Sequence, residues 1–252
     1  MAIDEAILRN GQVHEGVPTV RFYGWVRPSV TVGYFQDIVK EVDLGFCSAQ
    51  NIDVVRRPTG GKAVYHDADV TYSVVARERD EGFSSDITET YRVISACLLK
   101  GLGKLGIEAA LVEEGRKHLA STGEAFCFSV PFKNELLLKG GKVCGSAQMR
   151  SQGLFLQHGS ILIDLDLNRV AQVMAGGAEM IELMRRSVTA LNNHAAHPVS
   201  EGRLVSALRQ AFEDEMGVSV CDGTLTASEC ALKDSLLAEK YTTNRWNMEG
   251  KG

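Results

Sequence analysis

An α+β fold, with helices packed on a mixed or mainly antiparallel sheet, is what the sequence predicts, and three observations carry it. Segments with strand-like alternation crowd the first two thirds of the chain, a Gly-Gly dipeptide joins two of them as a hairpin, and the pattern beyond residue 168 turns helical. Met1 to Leu8 reads as a helix with Met1, Ile3 and Ile7 near one face, so the chain starts inside an element and a short strand or tail is expected ahead of it. Thr19 to Val26 and Ser29 to Phe35 alternate as two strands joined at Arg27-Pro28. Ile52 to Arg57 and Val70 to Arg77 read as strands on either side of Gly60-Gly61. Ile87, Tyr91, Ile94, Leu98, Leu102 and Leu105 then recur at helical spacing behind the N-cap candidates Ser85 and Asp86. Four further strands are predicted at Ile107 to Val112, Asn134 to Lys139, Lys142 to Gln148 and Gly153 to Leu165, with Gly140-Gly141 as the hairpin turn. Arg203 to Met216 is amphipathic, and Thr226-x-x-Glu229 forms a capping box for a last helix to about Tyr241. No repeat, low-complexity tract or linker divides the chain, which reads as one domain over residues 1–252 with a mainly helical part from 168 onward.

Composition removes several classes of function. The 252 residues are 44% hydrophobic, enough for a substantial core, and 27 basic against 32 acidic residues leave a net charge of −5, which argues against a general nucleic-acid binder. No apolar run approaches the roughly 18 residues of a membrane span, and no charged segment precedes an apolar one at the start. The six cysteines form no C-x-x-C pair and no compact framework, as expected of reduced, mostly buried thiols in the cytoplasm.

Chemistry concentrates in two stretches. Arg56 to Ser73, RRPTGGKAVYHDADVTYS, sets two arginines, a Gly-Gly turn, a lysine and a His-Asp pair between strands. Glycines let backbone approach a ligand, while Arg56, Arg57 and Lys62 offer donors and charge to a carboxylate, phosphate or carbonyl. The second stretch runs from Cys127 to His158. Cys127, in AFCFSVP, is either a small buried hydrophobe or a nucleophile, and becomes the latter only as a thiolate near positive charge. Cys144 is the competing cysteine. Lys142 opens KVCGSAQ, where Gly145, Ser146 and Ala147 leave room for a ligand beside the backbone. It is either a solvated turn lysine or a group that polarises a carbonyl, stabilises an oxyanion or accepts a proton. If the hairpin turns at 140–141, Pro131 must fold the preceding segment back for Cys127 to meet Lys142. His66, beside Asp67, and His158 are candidate bases or structural histidines. His194 and His197 lack the companions that would complete a metal site, and Gly60-Gly61-Lys62 is not a Walker loop.

Together RFYGWVRPSVTVGYFQ, RRPTGGKAVYHDADVTYSVV, Cys127-Phe128 and GGKVCGSAQMRSQGLFLQHGSILID resemble the lipoate-protein ligase and octanoyltransferase superfamily. The likeness spans about residues 1–165, with a looser match at KYTTNRWN. It implies the fold shared with biotin protein ligases and class II synthetase cores. It also implies an acyl pocket lined by Arg57, Gly60, Gly61, Tyr65, His66, Gly145, Ser146, Ala147 and His158, with Lys142 beside it. ATP-using ligases of the superfamily usually carry a third glycine where this chain has Lys62, and the Cys-Phe segment matches the cysteine-dependent octanoyltransferases. Pro131-Phe132-Lys133-Asn134-Glu135 departs from their Pro-Ser-x-Tyr-Glu.

The resemblance therefore implies an octanoyltransferase with Cys127 and Lys142 as catalytic residues and no metal or cofactor. Octanoyl-acyl carrier protein would be the donor. Lipoyl domains of 2-oxoacid dehydrogenases, or the glycine cleavage H protein, would be the acceptors. The alternatives are an ATP-dependent lipoate ligase, an amidotransferase between lipoyl domains, and a module that binds lipoyl domains without turnover. A carrier protein of acidic character would need a positive face, expected at Arg56, Arg57, Lys62, Lys142 and Arg150.

Overall fold

The structure, a computed structural model, describes residues 1–14, 16–112 and 135–251. Its strands are β1 (Thr19–Tyr23), β2 (Ser29–Val32), β3 (Asp53–Arg56), β4 (Val64–His66), β5 (Asp69–Arg77), β6 (Ala109–Leu111), β7 (Leu136–Leu138), β8 (Gly141–Lys142), β9 (Cys144–Ser151) and β10 (Leu154–Leu162). Its α-helices are α1 (Ala2–Val13), α2 (Ile38–Glu41), α3 (Leu44–Ala49), α4 (Ile87–Lys104), α5 (Leu167–Val173), α6 (Ala178–Ser187), α7 (Glu201–Met216), α8 (Ala227–Leu236) and α9 (Asn244–Glu249). The strands form an antiparallel sheet in the order β1-β5-β10-β9, a mixed sheet β3-β2-β4 and an antiparallel sheet β6-β7-β8. The α+β class is therefore as the sequence predicts. Among the described residues no helix is long and apolar enough to cross a membrane.

Strand β5 shows how the period of two divides the layers. Val70, Tyr72, Val74 and Ala76 face the largest core with Ile94, Leu98 and Leu102 of α4. The alternate positions face the other way: Val75 packs with Ile7 and Leu8 of α1, Ser73 donates to Asp4, and Thr71 lines a cavity. Both faces are covered, so nearly the whole strand is buried and its alternation is of polarity, not exposure. Helix α4 starts at Asp86, whose carboxylate accepts from the amides of Thr88 and Glu89, and packs against α7. Ile87 is 53% exposed, so the apolar stripe begins a turn later than the spacing suggests.

Several boundaries move. The Thr19 to Val26 strand stops at Tyr23, and β1 and β2 belong to different sheets instead of forming a hairpin. Val64–His66 is a strand that sequence alternation does not isolate, three residues set in the glycine-loop segment. The hairpin turn is Lys139-Gly140, not Gly140-Gly141: Leu138 pairs with Gly141, and φ is +50° at Lys139 and +87° at Gly140. Positive φ at both central residues is the geometry of a two-residue hairpin, and glycine supplies the second at no steric cost. The capping box at Thr226 and Glu229 forms as expected, and a π-helical turn, Leu237–Tyr241, extends α8.

Arg56 joins the last helix to the sheet. Its guanidinium donates to the carbonyls of Gly33, Tyr34 and Gln36 on one side and of Trp246, Asn247 and Met248 on the other, while Trp246 Nε1 returns a bond to the Arg56 carbonyl at 2.8 Å. Removing the head group strands these acceptors in a site where Arg56 is 2% exposed. Arg56→Met should therefore cost about 3 kcal/mol or more, measured by urea unfolding. Arg245→Met, on the exposed side of α9, should cost less than about 0.5 kcal/mol.

Candidate acyl site

Two sheets meet at a cleft whose empty space, open solvent included, is about 380 Å³. β2 gives it Thr31, β4 gives Val64 and His66, β5 gives Thr71, β9 gives Gly145 to Ala147, and β10 gives His158 to Ser160. Arg57 and Trp25 complete the wall with Met1. Antiparallel register explains the convergence: His158 pairs with Ala147 and Ser160 with Gly145, so side chains from adjacent strands emerge in rows.

The histidines are held, each by different partners. His66 Nδ1 lies 2.9 Å from Asp69 Oδ2, its Nε2 lies 3.0 Å from Thr31 Oγ1, and its ring stacks on Trp25 at 4.3 Å. Its carboxylate partner is thus Asp69, not the adjacent Asp67. Asp69 Oδ2 also accepts from Ser160 Oγ at 2.5 Å and Thr71 Oγ1 at 3.2 Å. Burial alone would raise the Asp69 carboxyl, but His66 and the two hydroxyls outweigh it and hold it below the usual range. His158 Nε2 meets Thr59 Oγ1 at 2.6 Å, and burial pushes this imidazole down to about 3. His158 is neutral near pH 7 and supplies an uncharged wall.

Arg57 reaches the cavity with its charge engaged. It donates to the carbonyls of Thr31, Gly60 and Lys62, at 3.1, 2.9 and 2.7 Å, and so fixes the Gly-Gly loop onto β2. Lys142 is 0% exposed and pairs with Glu135 at 2.7 Å. The solvated-turn reading of Lys142 is therefore wrong. A lysine and a carboxylate buried together hold each other in place, because removing either leaves the other uncompensated.

The predicted residues divide. Arg57, His66, Gly145, Ser146, Ala147 and His158 share the cavity, although the Ser146 hydroxyl bonds Tyr72 on the core side of the sheet. Gly60, Gly61, Tyr65 and Lys142 are not in its wall; Gly61 sits behind Arg57, and Tyr65 lines a separate groove with Asp67 and Leu162. Cys127 lies outside the described residues. Among the other cysteines, Cys144 is buried in the main core, and burial pushes the thiols of Cys47 and Cys97 up to about 11 and about 12, far from thiolate. Trp25, Thr31, Thr71 and Ser160 are wall residues that sequence reading missed. Alternation within the strands gives their faces but not the meeting of two sheets.

The expected positive face does not form as a surface. Arg56, Arg57 and Lys142 are buried, and Arg150 donates to Glu78, Gln148, Thr90 and the carbonyls of Ser84 to Asp86. Of the five, Lys62 is half-buried, held through its carbonyl by Arg57, with no partner for its ammonium among the described residues. His194 and His197 are exposed, and among the described residues no cluster suited to a metal ion exists.

Known proteins place this chain in a family. The Lipoyl protein ligase A/B catalytic domain matches residues 1–213. Octanoyltransferase LipM of Kyrpidia tusciae is 43% identical over 255 residues, covering 98% of this chain and 93% of the relative. A lipoate protein ligase structure from T. acidophilum with bound lipoic acid superposes with a TM-score of 0.82 at 31% identity, covering 98% of this chain and 92% of that one. A bi-partite lipoate protein ligase from Thermoplasma acidophilum, described with its E2 lipoyl domain, gives a TM-score of 0.82 at 29% identity over 98% and 89% of the two chains. This chain belongs to the lipoate-protein ligase and octanoyltransferase family.

Proposed function

We propose that this enzyme carries an octanoyl group from acyl carrier protein, through a thioester on Cys127, to a lysine of a lipoyl domain, using no ATP. The single observation that carries the activity is the near full-length identity, 36–43%, to octanoyltransferases; the chain is an acyltransferase of lipoate biosynthesis. The lipoyl domain as acceptor draws on the Thermoplasma ligase described with its E2 domain. The Cys-Phe segment of the sequence supports the thioester route.

The chemistry balances without a cofactor. Cys127 gives up its proton and attacks the donor thioester as the thiolate, the new S–C bond forms, the old one breaks, and the departing carrier sulfur takes the proton that Cys127 released. An acceptor amine then attacks the enzyme thioester; the amide forms and Cys127 recovers a proton from the amine. Both steps pass through an oxyanion, and Lys142, held in place by Glu135, is the cation to stabilise it. The cavity takes the aliphatic tail. Its neutral His158 and its small β9 residues present no unpaired charge to eight carbons.

Incubation with octanoyl-acyl carrier protein should add one octanoyl mass to wild-type protein and none to Cys127→Ala, with ATP absent. Full transfer by Cys127→Ala, or an ATP requirement, would identify a ligase instead. Lys142→Met should lower kcat at least a hundredfold while leaving the thiol in place for alkylation, read by steady-state kinetics and iodoacetamide labelling.

Neutral His158 also fixes a pH response. Its folded pKa, about 3, lies below the unfolded value of ~6.5, so the unfolded chain binds the extra proton and stability falls as pH drops from about 6.5 toward 3. His158→Gln should flatten urea-unfolding stability over pH 6.5–4 by up to about 1.4 kcal/mol per pH unit. An unchanged slope would mean that His158 is not buried neutral.

A further inference from the structure

A row of residues crosses the main sheet on the side away from the cavity. In register, Tyr72 on β5 faces Gly159 on β10, and Gly159 faces Ser146 on β9. A Cβ at position 159 would stand 2.7 Å from the Tyr72 ring, 2.7 Å from Ser146 Oγ and 2.6 Å from the Gly145 carbonyl oxygen. The missing side chain is what lets the Tyr72 ring lie across the middle strand. Its hydroxyl then meets Ser146 Oγ at 2.7 Å, two strands from its own backbone.

Donor inventory gives this row a direction. Arg150 Nε donates to Gln148 Oε1 at 3.0 Å, Gln148 Nε2 to Gln157 Oε1 at 2.9 Å, and Gln157 Nε2 to Tyr72 Oη at 3.1 Å. Tyr72 Oη accepts from Gln157, and either hydroxyl can donate in its bond to Ser146. The three bonds from Arg150 to Tyr72 run one way, an order in which successive bonds polarise one another. Tyr72 and Gln157 are fully buried, and burial pushes the phenol well above its usual range, so the hydroxyl keeps its proton. The other end is anchored where Arg150 grips Glu78, the carbonyls of Ser84 to Asp86, and Thr90 at the start of α4.

The Tyr72–Ser146 bond ends on β9, whose ladder partner among the described residues is β10. Gly145, Ser146 and Ala147 form part of the cavity wall, with side chains too small to pack the strand in place.

We infer that Tyr72 is a positioning residue for acyl transfer: through Ser146 it holds the Gly145–Ala147 edge of the cavity against the acyl chain. The inference rests on reading this cavity as the acyl site. Tyr72→Phe keeps the ring and removes the tether, Ser146→Ala removes its other end, and the double variant tests whether they act together. Each single variant should raise KM for octanoyl-acyl carrier protein three- to tenfold with kcat within twofold, and the double should be no worse than either single. Amide hydrogen exchange on substrate-free protein should quicken by a similar factor at residues 145–148 in both variants. Unchanged exchange, single effects that multiply in the double, or a fall in kcat with KM unchanged would overturn the inference. A wild-type protein that takes no octanoyl group, with exchange quickened as expected, would count against the acyl-site reading and leave the tether standing.

Discussion

Two adjacent arginines, both buried, hold the parts of the site together by donating to backbone carbonyls. Arg56 reaches residues 190 positions away in sequence, binding the loop after β2 to α9, and Arg57 pins the Gly-Gly loop onto β2. A guanidinium has five donors in a rigid fork, so one side chain can satisfy carbonyls that no secondary structure pairs. Loops that meet at a cavity expose such carbonyls, and burying them without donors would cost more than the fold can offset. The arginine pair is therefore the condition under which a glycine-rich loop can be both close to a ligand and fixed.

Buried charge elsewhere follows the same logic. Asp4, behind the cavity, accepts from Arg21, Ser73 and Tyr23; burial would raise its carboxyl, but the N-terminal ammonium, Arg21 and Ser73 outweigh it and keep it low. Glu5, one residue on, takes Lys240 and Tyr241 from the far end of the chain. Helix α1 thus turns two carboxylates inward, one toward the sheet that bears the cavity and one toward the C-terminal segment. Charge inside this protein is used for joining segments, and little of it is left facing an acyl chain.

How much of this was legible follows from range. The α+β class, α4 with its Asp86 cap, the Thr226 capping box and the strand rich in small residues are local patterns, and the sequence displays them directly. The partners of Arg56, Arg57 and Arg150 are not local. A pair of arginines beside glycines looks the same whether it faces a phosphate or six carbonyls, and the choice depends on segments brought in from the other end of the chain. Lys142 is the same case, since its burial with Glu135 depends on β7 and β8 turning at Lys139-Gly140, one residue earlier than the glycine pair suggests. His66 shares the cavity as expected, but β4 ends at this residue and the turn that follows brings Asp69, not the adjacent Asp67, to its ring.

That reassignment of charge bears on how a protein-borne acyl group is recognised. With Arg56, Arg57, Lys142 and Arg150 engaged inside, these four lend little long-range attraction to a partner at the cavity, and the chain as a whole is negative. Under the proposed function, fit of the acyl chain between β2, β4, β9 and β10 then carries selection. A cavity that selects by fit has to keep its walls still, and among the described residues its wall strand β9 pairs with β10 alone. The buried bonds that run to Ser146 and the clamp on the Gly-Gly loop act on opposite sides of one cavity, and both replace charge at the surface with rigidity beneath it.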